Sequence, residues 1–307
     1  MLLRNVLIFH TGALGDFLQT WPLGLALGRL YPQSRVIYIT HCEKGALAEK
    51  ALRLDFADIE SGWHHLFGDL AKLTEICRKK LTAAHSIFTF IANPGDSWMK
   101  SVATIAPGAK LIAVPPGPWH QIRQSLAALP IVHAAISQIE SSITTRGIGT
   151  IKPVESGPIA IHPGSGSPDK CWPIQSYLSL IEQLQSSGYA CRIFLGEVEL
   201  HRWAPEEIRR LQSAAETIEP PTYVDLFSEL SRCSGFIGND SGPGHLAAMM
   251  GLGTMILFGP TDPAVWKPLG PRVQVMRAQP LASLSPDRVH SEFQSLLAPP
   301  VSPALES

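Results

Sequence analysis

The sequence predicts an α/β protein made of two doubly wound, parallel-sheet domains, and three observations support this fold class. Short apolar runs alternate with longer amphipathic stretches along the chain, which is the pattern of parallel α/β construction. The runs VLIF, VIYI and IFTFI are almost continuously apolar, as expected of strands that are covered on both faces. The chain has 307 residues, more than one small core requires, so we expect two domains.

The first half contains predicted strands separated by amphipathic segments. The strands are Asn5–Phe9, Val36–Thr40, Ser86–Ile91 and Lys110–Val114, with helix-like stretches at Glu43–Leu54 and Leu70–Leu81. The opening MLLRNVLIFHTGALGD resembles the core of a signal peptide for a few residues. It then reaches Gly and Asp without a small-residue cleavage site, so we expect a buried first strand here.

The stretch SQIESSITTRGIGTIKPVESG is rich in Ser, Thr and Gly and has no steady period, which indicates a linker. We predict a first domain over 1–140, a linker over 141–157, a second domain over 158–298 and a flexible tail over 299–307. The strands predicted for the second half are Ile159–His162, Arg192–Leu195, Gly235–Gly238, Thr254–Phe258 and Arg272–Met276. Its predicted helices are Ile174–Ser186, Pro205–Ala214, Leu226–Cys233, Pro243–Met250 and Pro286–Leu297. For the last of these helices, packing back toward the first domain is left open as an alternative.

Composition excludes several classes of protein. The net charge is −1 and charged residues make up 17% of the chain, so nothing indicates a nucleic-acid-binding surface. The longest apolar run, Leu246 to Gly259, is too short to span a bilayer. The five cysteines form no C-x-x-C pair, which favours reduced thiols in a cytosolic protein over disulfides or a zinc site.

The segment HTGALGDFLQTWP follows the first predicted strand. Gly12 and Gly15 allow a tight turn and a close backbone approach to a ligand, and Asp16 falls where a helix should begin. Asp16 either caps that helix or lies on an exposed loop, since Pro22 suits only a first helical turn and favours a start near Thr20. On an exposed loop its carboxylate could accept a proton from a substrate. The glycine spacing is not that of a nicotinamide-binding loop.

A second loop, in IAIHPGSGSPDKCWPIQSY, also follows a predicted strand. Its backbone amides, the hydroxyls of Ser165 and Ser167, and the ammonium of Lys170 form a reasonable cradle for a phosphate. The loop lacks the G-K-[ST] ending of a Walker A loop. The alternative is an ordinary strand-to-helix loop with a solvated lysine.

The third segment is GNDSGPGHLAAMMGLGTMILFGPTDP. Ser241, Gly242 and Gly244 expose amides at the start of a predicted helix, whose positive end suits a diphosphate. Asp240 would repel a phosphate at contact range, so we expect it to orient amides or hydroxyls instead. His245 lies one turn into the helix, where it could hydrogen-bond a phosphate or the acceptor sugar. The alternative is a well-capped helix with a satisfied histidine.

Taken together, GALGD, HPGSGSPDKCWP and NDSGPGHLAAMMGLGTMILFGPTDP resemble glycosyltransferase family 9, the family of the ADP-heptose:lipopolysaccharide heptosyltransferases. The resemblance implies the GT-B architecture, two facing Rossmann-like domains with the acceptor held mainly by the first and the nucleotide sugar by the second. It also implies an inverting transfer without a metal or another cofactor. The sequence shows no D-x-D triplet and no cluster with metal-ligand spacing.

The resemblance also implies roles for particular residues. Asp16 matches the proposed general base of the family. The matches to the phosphate-binding loop and to the donor-diphosphate segment are Ser165, Ser167, Lys170, Asp240, Ser241, Gly242 and His245. Glu199, or else Glu197, fills the place of an acidic residue that holds the nucleotide ribose. Arg123 and Lys100 are the candidates for contacts with a phosphorylated acceptor, since no cluster of Arg and Lys matches that part of the family.

The leading hypothesis is a transferase that moves heptose from ADP-heptose to a glycan or lipid-linked glycan such as the lipopolysaccharide core. It would work in the cytoplasm, with peripheral contact at the inner membrane by analogy. One alternative is another GT-B enzyme that epimerises or hydrolyses a nucleotide sugar. A second is a nucleotide-sugar-binding protein without catalysis, which the presence of Asp16 and Lys170 disfavours.

Overall fold

The computed structural model describes residues 4–149, 154 and 156–297 of the chain. These residues divide into two compact units, which lie within Met1–Thr150 plus Pro221–Ser228 and within Ile151–Pro220 plus Glu229–Ser307. Each unit carries its own sheet, and all neighbouring strands that pair are parallel. The prediction of two doubly wound, parallel-sheet α/β domains is therefore confirmed.

The first unit is built on a five-stranded sheet. Its strands are β1 (Arg4–Phe9), β2 (Ser34–Thr40), β3 (Asp55–Asp58), β4 (Ala84–Thr89) and β5 (Lys110–Ala113). Its helices are α1 (Leu14–Gln19), α2 (Trp21–Leu30), α3 (Cys42–Leu52), α4 (Glu75–Thr82), α5 (Ser97–Ile105), α6 (Trp119–Ser125) and α7 (Pro130–Arg146), with short 3₁₀ helices at Trp63–Phe67 and Leu70–Lys72.

The strand order of this sheet is β3–β2–β1–β4–β5. The chain leaves β1 toward β2 on one side and later returns to β4 on the other, so the order reverses at β1. Ligands of open α/β sheets bind outside the carboxyl ends of the strands at such a reversal. Below this edge the core is aromatic, because the Phe9 ring packs edge-on against Trp63 and Trp98, with centroids 5.2 and 4.9 Å away.

The second half of the chain carries a six-stranded sheet. Its strands are β6 (Ile159–His162), β7 (Cys191–Phe194), β8 (Glu216–Ile218), β9 (Gly235–Asn239), β10 (Gly253–Phe258) and β11 (Val273–Arg277). The helices are α8 (Ile174–Ser186), α9 (Glu197–Arg202), α10 (Pro205–Ala214), α11 (Tyr223–Leu230), α12 (Gly242–Met250), α13 (Pro263–Trp266) and α14 (Pro286–Leu297), with 3₁₀ helices at Pro168–Lys170 and Leu281–Ser283.

The strand order of this second sheet is β11–β10–β9–β6–β7–β8. The reversal lies between β6 and β9, which are direct neighbours with His162 opposite Gly238. The two glycine-containing loops that the sequence singles out in this half leave the sheet from these two strands. Topology therefore brings them to one edge, although they are far apart along the chain.

The predicted linker is partly helical, which corrects the prediction for residues 141–146. Helix α7 continues to Arg146 because Ile136 and Ile143 remain buried along one face. The Ser and Thr residues that suggested a loop bond within the helix instead, as when Thr145 Oγ1 donates to the Ser141 carbonyl at 2.7 Å. Residues 150–153 and 155 of the predicted linker, and the whole predicted tail 299–307, lie outside the described residues.

Two further observations concern one edge strand of each sheet and the last helix of the second unit. The sequence analysis did not find β3 or β8, which are short edge strands with polar residues, whereas the predicted strands agree with the observed ones within two residues. The apolar face of α14 lies in the core of the second unit, where Val289 and Phe293 are buried among residues of the same unit. No helix described between residues 4 and 297 is long and apolar enough to cross a membrane.

Candidate active site

Asn239, the last residue of β9, fixes the loop that follows β6. Its side chain is fully buried, and its Oδ1 accepts hydrogen bonds from the Trp172 backbone amide and the Tyr177 hydroxyl, both at 3.0 Å. Its Nδ2 donates to the carbonyl oxygens of Pro163, at 2.6 Å, and Gly164, at 3.3 Å. One amide thus ties both ends of the loop to the sheet. The sequence analysis gave Asn239 no role, although a polar residue that directly ends a buried strand is a usable signal.

Asp240 carries the charge at the centre of this edge. The Lys170 Nζ lies 2.9 Å from its Oδ2, and the Thr261 hydroxyl donates to the same oxygen at 2.9 Å. The Asp240 side chain is 7% exposed, whereas the Lys170 side chain is 30% exposed. The carboxylate is therefore compensated inside the protein, while the ammonium keeps donors that can reach a ligand. Asp240 thus holds the Lys170 ammonium and the Thr261 hydroxyl, and its role toward a ligand stays a prediction.

The glycine-rich loop is held from two sides. The Ser165 hydroxyl is buried and donates to the Asp240 carbonyl oxygen at 2.8 Å, so its one proton serves the loop. The Arg202 guanidinium on α9 donates to the carbonyl oxygens of Ser165 and Gly166 at 2.9 and 3.1 Å. Ser167 is half-buried, and its carbonyl accepts from the Lys170 amide at 3.1 Å. Arg202 is not identifiable from the sequence as a contact of this loop, because α9 lies more than thirty residues farther along the chain.

The start of α12 faces the same edge. Ser241 occupies the N-cap position, Gly242 begins the helix, and the first-turn amides carry the positive end of the helix dipole. The Ser241 Oγ is buried and has no hydrogen-bond partner among the described residues. A buried hydroxyl without a partner costs free energy, so it is a group that a bound ligand would satisfy.

His245 lies within α12 and is almost fully buried. Burial lowers its pKa to about 4, an effect that Asp240 opposes and Lys170 reinforces. The imidazole is therefore neutral at pH 7. Its Nε2 is 3.9 Å from Asp240 Oδ1, which is too far for a hydrogen bond, so we do not count the pair as an ion pair. The structure therefore places His245 in the interior of the second unit, close to Asp240.

The two glutamates proposed for the ribose have different surroundings. Glu199 is 4% exposed, and its Oε2 accepts from the Gly196 amide at 2.9 Å as part of the cap of α9. Its carboxyl group also lies against the backbone of Gly164, where an added Cβ would be 1.8 Å from Oε1. Glu197 is exposed at the start of the same helix. Both follow β7, the strand next to β6.

In the first unit, Asp16 lies in the first turn of α1, after the loop that contains Gly12. Both interpretations of Asp16 need correction, because Ala13 is the N-cap residue and the helix begins at Leu14. The side chain is half-buried, not fully exposed. Pro22 does produce a break, since a proline cannot continue a helix that began at Leu14.

Helix α1 therefore ends at Gln19, and α2 begins at Trp21 with Pro22 in its first turn. The loop before α1 has one partner that the sequence analysis did not find. The Lys44 Nζ donates to the carbonyl oxygens of Thr11 and Gly12. Gly15 is half-buried in the first turn of α1, beside Asp16.

The two acceptor candidates lie on different helices of the first unit. Arg123 on α6 forms an ion pair of 3.0 Å with Glu140 on α7, and Lys100 is exposed on α5. Among residues 4–149 and 156–297, no group of three or more His, Cys, Asp and Glu side chains is placed to hold a metal ion.

The chain has two doubly wound units. In the second, a glycine-rich loop, a lysine and a helix N-terminus meet at one strand-order reversal. This arrangement is typical of two-domain α/β proteins whose ligands bind at the ends of strands. Residues 127–293 match the family model of glycosyltransferase family 9 (heptosyltransferase), which is more than half of the chain. This chain belongs to glycosyltransferase family 9.

Curated relatives have names that agree with this family. The lipooligosaccharide heptosyltransferase 2 of Haemophilus influenzae is 33% identical over 128 residues, which cover 39% of this chain and 36% of the relative. The lipopolysaccharide heptosyltransferase 2 of Salmonella typhimurium is 28% identical over 163 residues, which cover 46% of this chain and 47% of the relative. The chain thus matches about half, or less, of the length of these relatives.

Solved structures share the fold over nearly the whole chain. A glycosyl transferase family 9 structure from Veillonella parvula has a TM-score of 0.75 at 17% identity, covering 96% of this chain and 97% of that one. The Escherichia coli heptosyltransferase WaaC with ADP has a TM-score of 0.65 at 18% identity, covering 95% and 100%. The E. coli ADP-heptose lipopolysaccharide heptosyltransferase II has a TM-score of 0.67 at 19% identity, covering 96% and 98%. At these identities the likeness concerns the fold, and it confirms the predicted GT-B class.

Proposed function

We propose that this protein transfers heptose from ADP-heptose to a hydroxyl of a glycan acceptor such as the lipopolysaccharide core, with inversion at the anomeric carbon. The observation that carries the proposal is the edge formed by Lys170, Asp240 and the start of α12, where β6 and β9 end side by side. Membership of family 9 and the names of the relatives support the same activity, and E. coli heptosyltransferase WaaC has been solved with ADP and with ADP-2-deoxy-2-fluoro heptose.

The proposed donor site holds the diphosphate by positive charge and backbone amides. Lys170 turns its remaining donors toward the leaving phosphate, while Asp240 and Thr261 hold the ammonium in place. The amides at Ser241 and Gly242 complete the set, together with the Ser241 hydroxyl, which has no hydrogen-bond partner in the described part of the chain. Preorganised donors of this kind are worth roughly 3–4 kcal/mol each when charge develops on a leaving group. Ser167 remains a candidate phosphate contact and Glu199 or Glu197 a candidate for the ribose.

The proposed base is Asp16. Its carboxylate takes the proton of the acceptor hydroxyl, whose oxygen forms a bond to the anomeric carbon. The bond from that carbon to the diphosphate oxygen breaks at the same time, and the electron pair leaves with the diphosphate. This single displacement inverts the anomeric carbon, and Lys170 with the α12 amides supplies the positive charge that a divalent ion supplies in other transferases. Arg123 and Lys100 are candidate acceptor contacts, and we place the reaction in the cytoplasm, with peripheral contact at the inner membrane face.

Asp16→Asn tests this assignment directly. We expect kcat to fall by about 10²–10⁴-fold, the contribution typical of general base catalysis, with the Kd for ADP unchanged. Asp69→Asn, an exposed aspartate of the same unit, is the matched control and should behave as wild type. Undiminished turnover in Asp16→Asn would refute the role of Asp16.

The donor is tested by a thermal-shift panel of ADP, UDP, GDP and CDP with their sugars, because a ligand that binds the native state raises Tm. We expect ADP-heptose to give the largest shift. A larger shift with another nucleotide would overturn the choice of donor. Rapid consumption of the donor without an acceptor would favour hydrolysis or epimerisation over transfer.

A further inference from the structure

Lys44 lies in the first turn of α3, and its ammonium group reaches the loop after β1. The residue is 8% exposed, and its Nζ donates to the carbonyl oxygens of Gly12 at 2.5 Å and Thr11 at 3.3 Å. This is an expensive place for a cation, because the start of a helix carries positive partial charge and burial removes hydration. The two carbonyl contacts and nearby acids must therefore compensate the charge.

The charges of this cluster come from three elements. The charged and titratable groups are Lys44 and Glu43 on α3, His41 just before α3, His10 directly after β1, and Asp16 on α1. Burial lowers the pKa of Lys44, while Asp16 and then Glu43 act to raise it. Burial lowers the pKa of His10 to about 3, with Lys44 and then His41 acting in the same direction. His10 is therefore neutral at pH 7, which leaves Lys44 as the buried cation of the cluster.

Gly12 joins the lysine to the proposed base. A Cβ added to Gly12 would be 3.3 Å from the Asp16 Cβ and 3.0 Å from the His10 Cε1, so these groups are already in close contact with the loop. The carbonyl of this same glycine accepts the 2.5 Å hydrogen bond from Lys44. A change in the position of the ammonium group would therefore move the turn against which Asp16 packs.

From these contacts we infer that Lys44 is a positioning residue for Asp16, which anchors the loop after β1 and keeps a positive charge beside the carboxylate so that it stays ionised. The inference rests on the proposed role of Asp16 as the base. Lys44 itself touches neither donor nor acceptor in this account. It acts through the loop and through its charge.

Kinetics of three variants test the two parts of this role. Lys44→Met removes charge and donor, Lys44→Gln removes the charge but keeps a donor, and Lys50→Met on the exposed end of α3 is the control. We expect kcat to fall about tenfold in Lys44→Met with the Kd for ADP unchanged. The acidic limb of the kcat–pH profile should move up by about one pH unit in Lys44→Met and Lys44→Gln, because a neighbouring cation favours an ionised carboxylate. A profile and kcat equal to those of Lys50→Met would overturn the inference.

A titration of Asp16 decides the same question without any transfer activity. The ¹³C carboxyl signal of Asp16, identified by its absence in Asp16→Asn, is followed against pH in wild type, Lys44→Gln and Lys44→Arg. We expect the midpoint to rise by about one pH unit in Lys44→Gln and to stay near wild type in Lys44→Arg. An unmoved midpoint in folded Lys44→Gln would overturn the inference even if transfer is observed. A wild-type protein without transfer activity would refute the proposed function. The titration would still show whether Lys44 keeps the Asp16 carboxylate ionised.

Discussion

The loop after β6 and the loop after β1 occupy equivalent places in their sheets, yet they are held by different kinds of contact. In the second unit, the buried amide of Asn239 and the carboxylate of Asp240 cross-link two loops through neutral and charge-assisted hydrogen bonds. In the first unit, the buried ammonium group of Lys44 donates to two carbonyl oxygens of the loop. A cross-linked loop keeps its amides aimed at a fixed anion. A loop anchored by a buried ammonium group positions the nearby Asp16 carboxylate and also places a positive charge near it.

The segment that matches the family model also separates these two loops. Residues 127–293 include the loops after β6 and β9, but not the loop after β1. The shared part is therefore the part whose geometry depends on a network of buried polar groups, where one substitution leaves several partners unsatisfied. The following predictions test this contrast between a networked site and a charge-held site.

Asn239→Ala should have the largest effect on stability. It leaves the Tyr177 hydroxyl, the Trp172 amide and the Pro163 carbonyl without their buried partner, so we expect a loss of about 3 kcal/mol in the free energy of unfolding. Urea denaturation measures this loss. Asn93→Ala, an exposed asparagine, should change little. A loss no greater than in Asn93→Ala would break the contrast, because the network would then not hold the loop.

Acid should weaken the second unit through His245. Its pKa is about 4 in the folded protein against an ordinary value of 6.5, so the unfolded chain binds a proton that the folded state does not. Stability from this group is therefore complete above pH 6.5 and is lost as the pH falls toward 4, by on the order of 2 kcal/mol between pH 7 and pH 5. His245→Gln should show a smaller loss than wild type in urea melts at these two values. His120→Gln, at an exposed position, should keep the wild-type loss; an equal loss in both variants would contradict the prediction.

Lys170→Met should weaken ADP binding about tenfold, since it removes a charge-assisted donor and leaves the Asp240 carboxylate without its cation near the anion. Isothermal titration calorimetry with ADP measures this effect. Lys267→Met, at an exposed position in the same unit, is the control. Comparison with Lys44→Met sharpens the contrast, because that variant should bind ADP as wild type does. Unchanged affinity in Lys170→Met would remove the lysine from the donor site.

The parts that the sequence could predict are those fixed by local pattern. Buried strands such as β6 are continuous apolar runs. Asp240 and the start of α12 directly follow such a run, and Lys170 lies in the loop after another. The edge strands β3 and β8 were missed because only part of each is covered, so their residues, DFAD and ETI, lack that pattern. Hydrophobic periodicity carries no information about partial burial at an edge.

Contacts that depend on three-dimensional proximity could not be predicted in this way. Lys44 reaches a carbonyl 32 positions earlier, and Arg202 reaches one 37 positions earlier, in each case because a helix start or end passes a loop from another strand. The position of α1 was mispredicted for a related reason. Pro22 signalled a helix start correctly, but a separate short helix of six residues fits before it. Local rules identify a break without showing what precedes it.

The close approach of Glu199 to Gly164 has a practical consequence for engineering. Any residue other than glycine at position 164 would place its first side-chain carbon on a carboxylate that is itself secured by the Gly196 amide. In combinatorial libraries that randomise these two positions independently, most variants would have a steric clash between residues 164 and 199. Paired replacement, with a shortened residue at 199 for each enlargement at 164, is the search that the local volume permits.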